Sequence, residues 1–326
     1  MALPGKYILP VFFLTLFLGA MILGPLLYFG LAVVWPIPFH RAMDRAMLIS
    51  AVAALGLFWS RIPLEKLWPC NSDAWKQLLL GYFIAAVSIQ AMIGAYLALA
   101  RFESAHLSVD KVVGRVALAL VAALLVPPLE ETVFRGFLQR ELVKGLGWCA
   151  GWLITAVIFM LAHFLKIPVE LDHEPVHLWS GVTALGAAFA DFGHEFSQLE
   201  NVCKAINLSI IGLILGGVFL RAGTLWLNAG LHSGWIFGLL MFTGLTRPNH
   251  FEESIIDMLP GSLVKTHTVD SYDSPLTRLT DLLGGDILSS PATTLVLILT
   301  GLWLWRFYRH PSISPEPACG TGPNAP

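Results

Sequence analysis

The stretch "LLVPPLEETVFRGFLQREL", residues 124–142, sets Glu130, Glu131 and Arg135 inside an otherwise apolar run. A charged side chain at the centre of a lipid-embedded helix costs about 2.5–3.5 kcal/mol on insertion scales. Several together are tolerated only where they face protein, water or one another. The stretch therefore predicts a helix inside a bundle of helices, with its charges turned inward. Glu131 and Arg135 are spaced i, i+4 with the acid first, which predicts an ion pair on one helix face. Neighbouring helical positions point about 100° apart, so Glu130 looks elsewhere and is left over. Pro127 and Pro128 come just before. Proline suits the first turn of a helix and disrupts an interior, so a break is expected there, with a helix restarting near Pro128. Both glutamates would then occupy a first turn, where the helix dipole favours their charged forms and burial opposes them. A carboxylate held between those effects is suited to act as a general base.

The rest of the chain supplies the bundle. Its 326 residues are 56% hydrophobic and 13% charged, with a mean hydropathy of +0.70. Soluble domains carry about 25% charged residues, so the composition indicates a polytopic membrane protein. A net charge of −2 offers nothing to nucleic acid. Cys70, Cys149, Cys203 and Cys319 lie far apart, without metal or disulfide spacing. Tyr7 to Phe39 contains no charge and exceeds the roughly 7–15 apolar residues of a signal peptide, so it reads as a retained first span. Apolar runs at 7–34, 46–60, 77–100, 115–139, 148–165, 204–220, 223–245 and 289–307 predict an all-α transmembrane bundle of about eight spans. Residues 1–310 form one expected domain, and the Pro-, Gly- and Ser-rich tail 311–326 is expected to be disordered. Loops 166–203 and 246–288 hold many acids and several histidines and are candidates for interfacial helices or a cover over a site. Basic residues balance across alternate loops, so the positive-inside rule does not orient the chain.

Partners for Glu130 come from later spans. Taking the turn "KGLG" as centred on residue 146, Glu130 lies 16 residues before it and His163 17 after. Equal rise per residue puts them at one depth on adjacent antiparallel helices. In "LWLNAGLHSGWIFG", His232 is mid-span and Asn228 lies one turn earlier on the same face. Gly230, Gly234 and Gly238, and likewise Gly212 and Gly216, form small-residue stripes that read as close helix packing. A carboxylate and two imidazoles inside a membrane suit the activation of water for peptide hydrolysis. The histidines either orient the water and stabilise the oxyanion or bind zinc together with Glu130. "HEPVH" at 173–177 mimics a zinc-protease motif, but Pro175 disrupts the helix that motif requires; it reads as a surface loop. Trp148, Trp152, Trp226 and Trp235 read as packing or interfacial anchors.

At these residues the sequence resembles the CAAX-processing and bacteriocin-processing intramembrane protease family, which includes the type II CAAX prenyl endopeptidases. The family pattern is EExxxR on one span, FxxxH on the next and a final HxxxN or HxxxD. Here it corresponds to Glu130-Glu131 with Arg135, to Phe159 with His163, and to His232, within about residues 115–245. The resemblance implies a helical bundle of about eight spans and a water activated by Glu130, with His163 and His232 assisting and Glu131, Arg135 and Asn228 in support. A glutamate-type site without cofactor is the favoured reading; zinc held by Glu130, His163 and His232 is the alternative. The chain departs from the pattern at Ile236, where the family has Asn or Asp, and Asn228 is the candidate substitute. The expected substrate is a membrane-associated protein or lipidated peptide. The expected location is a bacterial inner membrane, with a eukaryotic endomembrane as the alternative. Two competing functions stay open. A proton-coupled transporter would also place Glu and His within the bilayer, and a non-catalytic scaffold or immunity protein would fit the loss of a polar group at Ile236.

Overall fold

The structure is a computed structural model, and it describes residues 5–32, 37–98, 102–105, 107–168, 171, 175–196, 199–248 and 287–307. The tail 311–326, most of loop 246–288, and His173 and Glu174 of the zinc-like motif lie outside the described residues. The described chain is built of helices: α1 (Ile8–Ala32), α2 (Phe39–Leu57), the single turn α3 (Leu64–Leu67), α4 (Ser72–Ala98), α5 (Val109–Glu131), a π-helical segment (Thr132–Gln139), α6 (Arg140–Leu146), α7 (Trp148–Phe164), α8 (Ser180–Glu195), α9 (Leu199–Ala222), α10 (Trp226–Leu245) and α11 (Pro291–Phe307). Strands β1 (Phe102–Ser104) and β2 (Thr246–Pro248) pair antiparallel, Glu103 opposite Arg247, and tie the start of α5 to the end of α10.

Among the described residues, Ile8–Leu31, Ser72–Gly94, Val109–Leu146 and Asn201–Ala222 are long and apolar enough to cross a membrane. Trp148–Phe164 is apolar but shorter. The bundle is therefore polytopic and helical as expected, with four helices rather than eight meeting the length and composition of a span. Its outer surface is oily: Leu124 and Leu125 are 68% and 67% exposed, as lipid-facing side chains should be. Within loop 166–203 the chain forms α8, whose Ala184, Leu185 and Ala188 pack with Ala20 of α1 and Phe39 and Met43 of α2 in a satellite cluster. The main core is drawn from α1, α2, α4, the π-helical segment, α7, α9, α10 and α11.

The expected break at Pro127–Pro128 is not there. The helix continues through both prolines to Glu131, and the irregularity comes afterwards, as the wider π turn Thr132–Gln139. Pro127 has no N–H to offer the Ala123 carbonyl, but Ser233 on α10 donates its hydroxyl to that oxygen at 2.6 Å. A neighbouring hydroxyl thus restores the bond the proline removed, which is how membrane helices tolerate proline. Glu130 and Glu131 are consequently mid-helix, and no helix N-terminus stabilises them. Protein side chains do so instead. Every residue from Val133 to Gln139 is buried, so this segment runs through the centre of the bundle and has no lipid face. The helical run ends at Gly147, whose φ of +83° is open to glycine and strained for other residues; the chain turns there into α7.

Candidate active site

Glu131 and Arg135 are both 0% exposed, and Arg135 Nη1 lies 3.1 Å from Glu131 Oε1, the ion pair expected from their spacing. Such a pair stands only when its remaining lone pairs and protons are used. Most of them are. Glu131 Oε1 accepts from His232 Nδ1 at 2.9 Å, and Glu131 Oε2 accepts from Asn228 Nδ2 at 3.2 Å. Arg135 Nη2 reaches the Gly212 carbonyl at 3.5 Å, and its guanidinium lies over the Phe159 ring at 4.6 Å.

Gly147 separates α6 from α7 and sits nearly midway in sequence between Glu130 and His163. His163 Nδ1 is 2.8 Å from the Phe159 carbonyl. A carbonyl only accepts, so Nδ1 carries the proton and Nε2 presents a lone pair. The His163 ring packs on Phe159 at 4.4 Å, and Phe159 meets His232 edge-on at 6.0 Å. The Phe of the FxxxH pattern thus holds both imidazoles and the guanidinium apart at fixed angles.

His232 is 5% exposed. Its Nδ1 faces the ion-paired Glu131 carboxylate and donates to it, so in the neutral ring Nε2 carries a lone pair. That nitrogen lies 3.7 Å from Glu130 Oε2, and Glu130 Oε2 is a buried oxygen with no hydrogen-bond partner among the described residues. Two acceptors thus face one another across a gap that a shared proton or a hydrogen-bonding molecule would close. Above the histidines opens a chamber of about 340 Å³. Its walls come from α4, α5, α7, α9, α10 and α11 and are almost wholly apolar, Ile236 included.

Glu130, Glu131, Arg135, Asn228 and His232 therefore meet, and His163 stands beside them on the Phe159 ring; Asn228 meets them differently from the expectation. Its amide serves Glu131 and the Leu215 carbonyl, at 2.6 Å, on the side away from the chamber that Ile236 lines. It supports the ion pair and does not replace a polar group at position 236. Gln139 was missed. It is fully buried and donates to the Gly216 carbonyl at 3.0 Å, and its place four residues after Arg135 was the available signal. Ser233 was missed as well; a hydroxyl on a neighbouring span is the natural companion of a mid-span proline. Three of the four tryptophans are anchored by their indole N–H: Trp152 to the Leu213 carbonyl, Trp226 to the Pro69 carbonyl and Trp235 to Ser88 Oγ. Trp148 is exposed. Cys70, Cys149 and Cys203 are free thiols.

A zinc site would need Glu130, His163 and His232 to converge on one point. Among the described residues no group of three His, Cys, Asp or Glu side chains is placed to hold a metal ion.

Residues 112–238 match the family model described as Type II CAAX prenyl endopeptidase Rce1-like. The match runs from α5 into α10, includes Glu130, His163 and His232, and bears out the resemblance read from the motifs. No curated protein and no solved structure matches the chain.

Proposed function

We propose that this protein is an intramembrane endopeptidase that cleaves a membrane-associated protein or lipidated peptide, with Glu130 as the base that activates water. The observation that carries the reading is His232 bracketed by adjacent carboxylates, Glu131 on Nδ1 at 2.9 Å and Glu130 facing Nε2 at 3.7 Å, at the floor of an apolar chamber. The similarity of residues 112–238 to prenyl endopeptidases supports the same reaction class.

The chemistry follows from the tautomers. Glu131, neutralised by Arg135, fixes the His232 ring with its Nε2 lone pair towards Glu130. A water in the gap donates one hydrogen to Glu130 and the other to His232 Nε2, which aims its oxygen at the chamber. As that oxygen bonds to the substrate carbonyl carbon, Glu130 takes the proton and the C=O π pair moves onto the carbonyl oxygen. When the tetrahedral adduct collapses, the C–N bond breaks and Glu130 returns the proton to the leaving amine. His163, its Nδ1 proton committed to Phe159, offers Nε2 as a second acceptor that orients water or the leaving N–H. The base needs no metal in this scheme. The apolar walls suit a substrate delivered from the bilayer, and the long apolar helices make the protein an integral membrane protein.

Glu130→Gln removes the base and leaves the Glu131–Arg135 pair intact. The expected result on a quenched-peptide library in detergent is a fall in kcat of about 10²–10⁴-fold with an unchanged melting temperature. His163→Ala and metal content, measured with and without chelator, belong in the same series. Cleavage that requires stoichiometric zinc would overturn the glutamate-type reading. A folded wild type that cleaves nothing would return weight to the scaffold reading that Ile236 favours.

A further inference from the structure

At the end of the bundle opposite the chamber, a second cavity of about 810 Å³ opens between α3, α6, the start of α7 and the end of α9. Trp148 on its wall and His163 in the chamber are about 22 Å apart along α7, so the two cavities are separate. The apolar spans beside it end at Leu146 and Ala222. The cavity therefore sits where hydrocarbon gives way to headgroups.

Its walls divide by chemistry. Phe219 and Leu220 of α9 and Trp148 of α7 form an apolar side. Leu220 is 40% and Trp148 62% exposed, so this side runs out onto the oily flank of the bundle. Lys66 of α3 and Arg140 of α6 form the polar side. Thr224 lines the cavity too, but its hydroxyl is committed to Gln77 Oε1 at 2.8 Å. Among the described residues no Asp or Glu lines it. Other cations at this end are matched within the fold. Lys76 pairs with Asp73 at 3.0 Å, Lys144 pairs with Glu141, and the Arg221 guanidinium lies over the Trp305 ring at 3.4 Å. Among the described residues Lys66 and Arg140 enter no such pair, and Glu141, next to Arg140 in sequence, is taken by Lys144.

Two cations facing an apolar wall at the membrane boundary call for an amphipathic anion. We propose that this cavity binds one anionic phospholipid of the surrounding bilayer. Its phosphate lies between the Lys66 ammonium and the Arg140 guanidinium, and its acyl chains run along Trp148, Phe219 and Leu220. Arginine matches phosphate oxygens in pairs and lysine adds a point charge. Basic pockets between membrane helices take up anionic headgroups in this way, and tryptophan commonly sits at headgroup level. A zwitterionic lipid offers the same phosphate but brings a quaternary ammonium towards two cations, so it is the poorer ligand. The site is independent of the reaction at Glu130. Its occupant bridges α3, α6, α7 and α9, at the far end of helices that build the catalytic floor.

The test titrates the full chain in neutral detergent with phosphatidylglycerol, phosphatidylcholine or inorganic phosphate. Native mass spectrometry counts bound lipid, and melting temperature is recorded in parallel. Wild type is compared with Lys66→Gln, Arg140→Gln and the double variant. Lys6→Gln/Lys76→Gln is the control, since it removes the same charge from the same end outside the cavity. One phosphatidylglycerol per chain is expected in wild type and control. Its affinity should fall about fivefold for each cavity cation removed and roughly thirtyfold for both. The melting temperature should rise with phosphatidylglycerol in wild type and control and stay level in the double variant. Equal loss in the control would mean that net charge alone attracts the lipid, and the site would be wrong. Equal affinity for phosphatidylcholine, or the full melting shift with inorganic phosphate alone, would overturn the lipid assignment. If Arg140→Gln does not fold, Lys66→Gln decides, because it alters an exposed side chain; unchanged affinity there would end the proposal.

Discussion

On α10, a Cβ added at Gly230 would lie 2.1 Å from the Leu78 carbonyl oxygen, and one added at the facing Gly81 of α4 would lie 2.4 Å from the Leu227 oxygen. There the glycines let two backbones touch. On α9, an added Cβ at Gly216 would meet the ends of side chains, Trp152 Cδ1 at 2.7 Å and Gln139 Oε1 at 3.0 Å. Here bare backbone presents carbonyl oxygens to visiting donors: Gly212 to Arg135, Leu213 to Trp152, Leu215 to Asn228 and Gly216 to Gln139. The same i, i+4 spacing serves two purposes. One stripe glues helices together, and the other, which also packs tightly on Ala156 of α7 at Gly212, builds an acceptor wall that lets polar residues enter the bundle. Carbonyls already bonded within a helix retain a second lone pair, so this wall leaves α9 intact.

The comparison can be broken by substitution. Arg135→Met should be the most damaging, since it strands the Glu131 charge in the core; removing one partner of a buried pair costs about 3–5 kcal/mol. Thermal unfolding in detergent would show it. A near-native melting temperature would mean that the acceptor wall and the ion pair contribute little. Gly230→Ala comes next. It drives a methyl group into backbone, which cannot give way without separating α4 from α10, and overpacking of that kind costs about 1–3 kcal/mol. Gly216→Ala should be mildest, because Trp152 and Gln139 can swing aside at the cost of their bonds to α9, roughly 0.6 kcal/mol each in a membrane. Equal melting temperatures for the two glycine variants would erase the distinction between the stripes.

Much of the site was legible because helical spacing is a strong ruler. The Glu131–Arg135 pair, the common depth of Glu130 and His163, and the Asn228–His232 face all follow from rise and rotation per residue. The reading failed where one helix depends on another. Pro127 predicts a break only while its own helix must satisfy the Ala123 carbonyl, and Ser233 lies 110 residues away. The face of Asn228 could be read from spacing, but its partners Glu131 and Leu215, on other helices, could not. The eight apolar runs did become helices, but hydropathy marks apolar length and does not say which helices reach lipid. α10 contributes ten buried residues, nine of them consecutive from Leu227 to Trp235, and is as much core as span.

The bond from Ser233 to Ala123 also bears on biosynthesis. A chain emerging into a membrane delivers α5 long before α10. Until α10 arrives, the Ala123 carbonyl lacks Ser233 and the Glu131 carboxylate has Arg135 but lacks His232 and Asn228, in surroundings where an unsatisfied backbone group costs several kcal/mol. The central helix is therefore inserted in debt to a later one. Fragments ending before α10 would hold that helix in an environment it cannot satisfy, which makes them natural substrates for membrane quality control and ties completion of the catalytic floor to completion of synthesis.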